Sequence, residues 1–184
     1  MTDLVAVWHA EHANFSHLLD LLEKQVAAFR AGGQPNYDLM QDIVYYLRDY
    51  PDRVHHPQEE VAFAHLAARD PGIESQLDRL VQEHAVIAVS GEELLKLLEE
   101  IVAEVLVPRS TVVTAAANYL ARFRRHLADE EQQVMPRAAR LLNHEDWAAV
   151  VAAVPPEPDP LFGEELAARY RKLRRQIALH AQGS

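Results

Sequence analysis

The chain has 184 residues, 49% hydrophobic and 25% charged, with a net charge of −10, which suits one ordinary globular domain. The acidic balance argues against a nucleic-acid backbone or an anionic membrane as partner. The lack of cysteine excludes disulfides, thiolate metal sites and cysteine nucleophiles. Residues 1–10 carry Asp3 and no basic stretch, and no apolar run nears bilayer length, so neither a signal peptide nor a membrane span is expected and the default location is the cytoplasm.

Strand patterns are nearly absent, and four segments each give one apolar face at about 100° per residue. The first spans residues 3–31 and stops at Gly32-Gly33. The second spans residues 36–69, with a break expected at Tyr50-Pro51 because a residue before proline avoids helical angles. The third follows Pro71-Gly72 and ends before Pro108, and the fourth spans residues 109–142. Short connections make neighbours antiparallel, so the expected fold is all-α, an up-down-up-down four-helix bundle. A short helical piece over residues 144–154 completes a bundle domain of residues 1–154. Residues 155–184 form a proline-rich linker and a C-terminal amphipathic helix with Leu166, Tyr170, Leu173 and Ile177 on one side, a surface suited to a homodimer. The helix's run of Arg169, Arg171, Lys172, Arg174 and Arg175 reads as a solvated face in so acidic a chain.

Ten histidines are many for this length, and an internal repeat organises them. Glu11-His12 is followed 72 positions later by Glu83-His84, and His55-x-x-x-Glu59-Glu60 is followed 71 positions later by His126-x-x-x-Glu130-Glu131. On the fourth helix Glu130 falls about 40° from His126, within the apolar face of Tyr119, Phe123 and Val134, whereas Glu131 falls toward solvent. On the second, Glu59 falls between His55 and His56 in angle, and Glu60 points outward. His84 centres the stripe of Leu77, Leu80, Leu95 and Leu98, and His12 borders that of Trp8, Phe15 and Leu19. Singly, each is more often a satisfied core histidine than a ligand.

Together they make an inward set of five histidines and two carboxylates on four helices. A carboxylate facing a core is costly unless paired, protonated or bound to metal. Imidazole and carboxylate without thiolate suit iron, manganese, zinc or copper, and so many ligands suit two ions sharing bridging carboxylates. The ferritin-like pattern needs Glu-x-x-His on two helices, and Glu59, Glu60 and Glu130 have no histidine three residues on.

The chain resembles the hemerythrin family in its HHE cation-binding branch, through "WHAEHANFSHLL", "YPDRVHHPQEEVAFAHL", "VQEHAVI" and "HLADEEQQVMP". The resemblance implies two iron ions joined by an oxo or hydroxo group. His12 and His55 would hold one, His56, His84 and His126 the other, with Glu59 and Glu130 bridging. Oxygen-carrying hemerythrins place two histidines four apart on the third helix. Here Ala88 follows His84 at that spacing, and His56 fills the vacancy from the second helix. Three histidines against two leave one iron an open position, with small Ala88 and Gly91 leaving space beside it. The expected function is binding or sensing of O2, NO or an azide-like anion. The alternative is an enzyme consuming peroxide or reducing nitric oxide, and a third reading is a structural protein that metal merely stabilises.

Overall fold

The computed structural model describes residues 3–182. Helix α1 (Leu4–Arg30) begins where the Asp3 side chain accepts the Ala6 N–H, and the chain turns away through Gly32 at φ +90°. Helix α2 (Tyr37–Tyr50) is capped by Asn36, whose side chain accepts the Leu39 N–H at 3.0 Å. It runs through a wide π turn, Pro51–His55, into α3 (His56–Arg69). Helix α4 (Glu74–Val102) follows, then α5 (Arg109–Asp129), a second π turn at Glu130–Val134, and α6 (Met135–Leu141). Helix α7 (His144–Ala153) opens on a reciprocal Asn143–Asp146 capping box, and α8 (Arg171–Gln182) closes the chain.

Four rods result: α1, α2 with α3, α4, and α5 with α6. Helix α1 packs on α2 and α5, and α4 packs on α2, α3 and α5, which is the up-down-up-down arrangement the short connections require. The fold is thus all-α, without strands among the described residues, and the C-terminal helix is additional to the bundle. No helix among the described residues is long and apolar enough to cross a membrane.

The break expected at Tyr50-Pro51 does not occur. Tyr50 keeps helical angles (φ −72°, ψ −49°), and the chain absorbs its prolines by widening rather than stopping. The His56 N–H reaches back five residues to the Pro51 carbonyl, and the next residue is Pro57. The second π turn repeats the device: the Met135 N–H bonds to the Glu130 carbonyl immediately before Pro136. A helix-interior proline lacks the N–H for the carbonyl four residues back and its ring crowds that carbonyl, so a wider turn just before it removes the conflict.

Helix α7 packs on α3, with Trp147 edge-on to Trp8 at 5.7 Å. The C-terminal segment runs over α2, burying Leu161, Tyr170 and Leu173 in the main core. Asp159 accepts the Leu161 and Phe162 N–H groups and the Tyr46 hydroxyl, each at 2.8 Å. The basic run is exposed, as expected of a solvated face, and makes surface contacts: Arg169 lies over the Tyr45 ring, Lys172 pairs with Asp38, and Arg174 donates to the Leu161 carbonyl.

Candidate metal centre

The apolar interior is divided into two clusters with a polar layer between them. The larger includes Phe15 to Phe29 of α1, Leu39 to Val54 of the second rod, Ile87 to Leu98 of α4 and Val112 to Leu127 of α5. The smaller includes Leu4 and Trp8, Ala62 to Leu66, Leu77 and Leu80, and Val134 to Leu142. In every rod the inward histidines and glutamates fall where one cluster gives way to the other. His12, His55, His56, Glu59, His84, His126 and Glu130 all meet there, none more than 4% exposed.

Their polar atoms converge. The Nε2 atoms of His12 and His55 stand 2.9 Å apart, that of His84 faces both Glu59 and Glu130, and that of His126 faces Glu130. Glu59 lies with Oε1 3.2 Å from His55 and 3.6 Å from His12, while its Oε2 is 3.7 Å from His84. Glu130 mirrors it, with Oε1 3.1 Å from His126 and 3.6 Å from His84 and Oε2 3.6 Å from His12. Ligand atoms of His56, Glu59, His84 and His126 lie within 4.8 Å of one another, as do those of His12, His55 and Glu59. The π turn before His56 helps both adjacent histidines reach the layer, because a wider turn puts successive side chains at a smaller angle than an α-helix does.

Both oxygens of Glu59 and of Glu130, and Nε2 of His56, His84 and His126, are buried without a hydrogen-bond partner. Buried polar groups are nearly always satisfied, so a shared hole lined by unpartnered carboxylate oxygens and imidazole nitrogens fits a cation that displaces the imidazole protons. Electrostatics agree. Burial opposes charging of His55 and His84, but the glutamates outweigh it and push them up to about 10 and about 9. Burial, with the charges of His84 and His55, holds His56 well below its ordinary value. Burial would raise Glu59 and Glu130, and for Glu130 the Glu59 charge adds to it, yet the surrounding imidazoles hold both carboxyls below the ordinary range. The layer keeps both glutamates ionised at its centre, matched by cationic imidazoles.

A second ring of carboxylates surrounds the first, and residue-by-residue wheel positions did not reveal it. Every one of the five imidazoles has a carboxylate at Nδ1: Glu131 at 2.9 Å from His12, Glu11 at 2.6 Å from His55, Asp52 at 3.2 Å from His56, Glu60 at 3.0 Å from His84 and Glu83 at 3.3 Å from His126. An ionised carboxylate only accepts, so Nδ1 carries the proton and a neutral imidazole turns its Nε2 lone pair inward. The internal repeat explains four of these contacts. Glu11 and Glu83 serve the histidine of the next rod in their own half, and Glu60 and Glu131 serve the histidine of the opposite half.

The outward direction expected for Glu60 and Glu131 therefore needs correction. Their side chains are 43% and 33% exposed, but their carboxylates reach sideways to His84 and His12. His9, on the polar side of α1, joins the same Glu131 at 2.6 Å. The space expected beside Ala88 and Gly91 is also absent at Gly91. A methyl group there would meet the Arg48 stem at 2.9 Å and the Tyr119 ring at 3.1 Å, so those side chains fill the gap. His65 lies apart from the centre, pinning α7 through Asp146 at 3.2 Å.

On the α1–α5 face a groove of about 390 Å³ reaches His12 and is lined also by His9, Ser16, Arg124 and Glu131 among others. Apolar bulk also lines the centre: Phe15 is edge-on to His55 at 5.2 Å, and Phe123 lies 6.4 Å from the His56 ring.

A family model described as the hemerythrin HHE cation-binding domain matches residues 3–138, which include the whole polar layer and both π turns. No curated protein and no solved structure matches the chain.

Proposed function

The chain belongs to the hemerythrin HHE cation-binding domain family, and from that premise we propose that its polar layer holds a pair of iron ions which bind a small ligand such as O2, NO or an azide-like anion. The observation that carries this reading is the straddling of Glu59 and Glu130. Each presents one oxygen to the His12/His55 side and the other to the His84/His126 side, and none of these four oxygens has a hydrogen-bond partner. A carboxylate used by one ion would not need two unsatisfied oxygens facing two imidazole groups. By this reading His12 and His55 serve one ion, His56, His84 and His126 the other, and the two glutamates both.

A ligand set of imidazole and carboxylate without thiolate suits iron, and manganese or zinc would find the same donors. Bound there, an iron pair supplies an electron-rich centre for a small electron-accepting ligand or, when oxidised, a positive one for a small anion. The chain's own residues set which side can receive it. The His12/His55 side has fewer imidazoles and His12 lines the α1–α5 groove, while Phe15 packs against His55 and Phe123 lies beside His56. Arg124 is held at the groove by ion pairs with Asp20 and Glu23.

The reading favours a binding or sensing protein over an enzyme. The five carboxylates around the centre are engaged as imidazole partners rather than placed as a separate acid or base. Adding azide to the oxidised, iron-loaded protein tests it: a new visible charge-transfer band is expected. No azide band, and no reaction of the reduced protein with O2 or NO, would sink the open-position reading. Sustained peroxide consumption would favour the enzyme instead.

A further inference from the structure

Of the five carboxylates on imidazole Nδ1 atoms, Glu11 is the one that is buried, at 8% exposed, and the one held by a buried hydroxyl. One of its oxygens lies 2.6 Å from Nδ1 of His55, and the other accepts the Tyr50 O–H, also at 2.6 Å. Tyr50 is 2% exposed, stacks on Tyr46 at 6.0 Å, and has its oxygen 3.5 Å from the Glu157 carbonyl of the C-terminal segment. Beside Glu11 a cleft of about 320 Å³ separates α1 from that segment, so the carboxylate has somewhere to swing if it is released. The other four carboxylates are partly or largely open to water, and Glu83 is further shared with Arg79 and Arg125.

We infer that Tyr50 is a positioning residue for the ion on the His12/His55 side, acting through Glu11. By donating to one oxygen, Tyr50 fixes the rotation of the carboxylate so that the other oxygen meets Nδ1 of His55. That holds the ring with its Nε2 directed at Glu59 and makes it a stronger donor, because the charge facing Nδ1 is shielded from water. Among the described residues the three-histidine side has no such buried relay, so the effect is confined to one of the two ions. This inference rests on the two-ion reading of the layer.

The test is a cobalt(II) titration of the full chain, followed by its visible spectrum, in the parent and in Tyr50→Phe, Glu11→Gln and Tyr46→Phe. Tyr46 is the matched control: it is equally buried in the same stacked pair and donates to Asp159 of the C-terminal segment, but it touches no imidazole partner. Tyr50→Phe should weaken one of two binding events roughly 10-fold and Glu11→Gln by up to about 100-fold, the span typical of lost outer-shell partners. Tyr46→Phe should bind both ions as the parent does. Tyr50→Phe with both affinities unchanged, or with both weakened equally, overturns the inference while the two-ion reading stands. A parent chain taking up fewer than two cobalt ions overturns that reading and this inference with it.

Discussion

Glu60, 43% exposed on the outer side of α3, holds Nδ1 of His84 at 3.0 Å across to α4. Its counterpart Glu131 does the same for His12 across to α1. Exposed carboxylates are normally replaceable at little cost, but these two orient imidazoles. Glu60→Ala and Glu131→Ala should each lower metal affinity roughly 10- to 100-fold while leaving the metal-free melting temperature within a few degrees of the parent. Glu74→Ala, in the first turn of α4 and outside the layer, should leave the affinity unchanged. Metal titration of the three variants side by side checks this, and equal affinities would show that the Nδ1 contacts are incidental.

Glu59 and Glu130 stand at the opposite extreme. Each faces imidazoles on both sides of the layer, so Glu59→Ala or Glu130→Ala should reduce the number of ions retained after gel filtration, not merely their affinity. Elemental analysis would read the loss, and circular dichroism would confirm that the helices persist.

The wheel positions made the inward set legible because helical phase is robust: residues four apart stay on one face even across the prolines. The outer ring was not legible, because a glutamate pointing sideways at the edge of a rod has a solvent-side angle and still reaches the neighbouring rod. A signal was present in the repeat itself, which places a carboxylate directly next to four of the seven inward residues, at Glu11-His12, Glu83-His84, Glu59-Glu60 and Glu130-Glu131. Sequence proximity misleads in one respect, since Glu11 adjoins His12 but serves His55. The π turns were missed for a different reason: proline in a helical pattern ordinarily marks an end, and only tertiary packing on both flanks keeps these rods continuous. Likewise no local pattern showed that Leu161, amid prolines and acids, would be buried on the bundle.

The π turns themselves can be tested. Pro57→Ala restores the N–H that the Arg53 carbonyl lacks, which favours closing the turn to a regular α-helix and rotates His55 and the residues before it relative to Glu59. Metal affinity should fall at least several-fold while metal-free thermal stability is kept or increased. Pro136→Ala should act in the same direction on the Glu130 side. A variant that loses stability and keeps its metal affinity would contradict this account of the prolines.

In the metal-free protein His55 and His84 are pushed up from 6.5 to about 10 and about 9 against the cost of burial, by the carboxylates around them. A raised histidine adds stability that is fully present below its unfolded value and is lost as pH rises through its folded one. The metal-free melting temperature should therefore fall between about pH 7 and pH 10. The glutamates act at the other end: Glu59 and Glu130 lie below 4.5, so their contribution fades as pH drops below that value. Metal must displace the histidine protons, so affinity should climb over the same alkaline span and the loaded protein should resist the decline. Melting curves at pH 7 and pH 10, with and without metal, check both signs.

The most direct test of the central claim is the number of ions the layer holds. Anaerobic titration of the metal-free chain with iron(II), followed by desalting and elemental analysis, should saturate at two iron ions per chain, both lost in a Glu59→Ala, Glu130→Ala double variant. Saturation at a single ion, or two ions retained in the double variant, would contradict a pair bridged by these carboxylates.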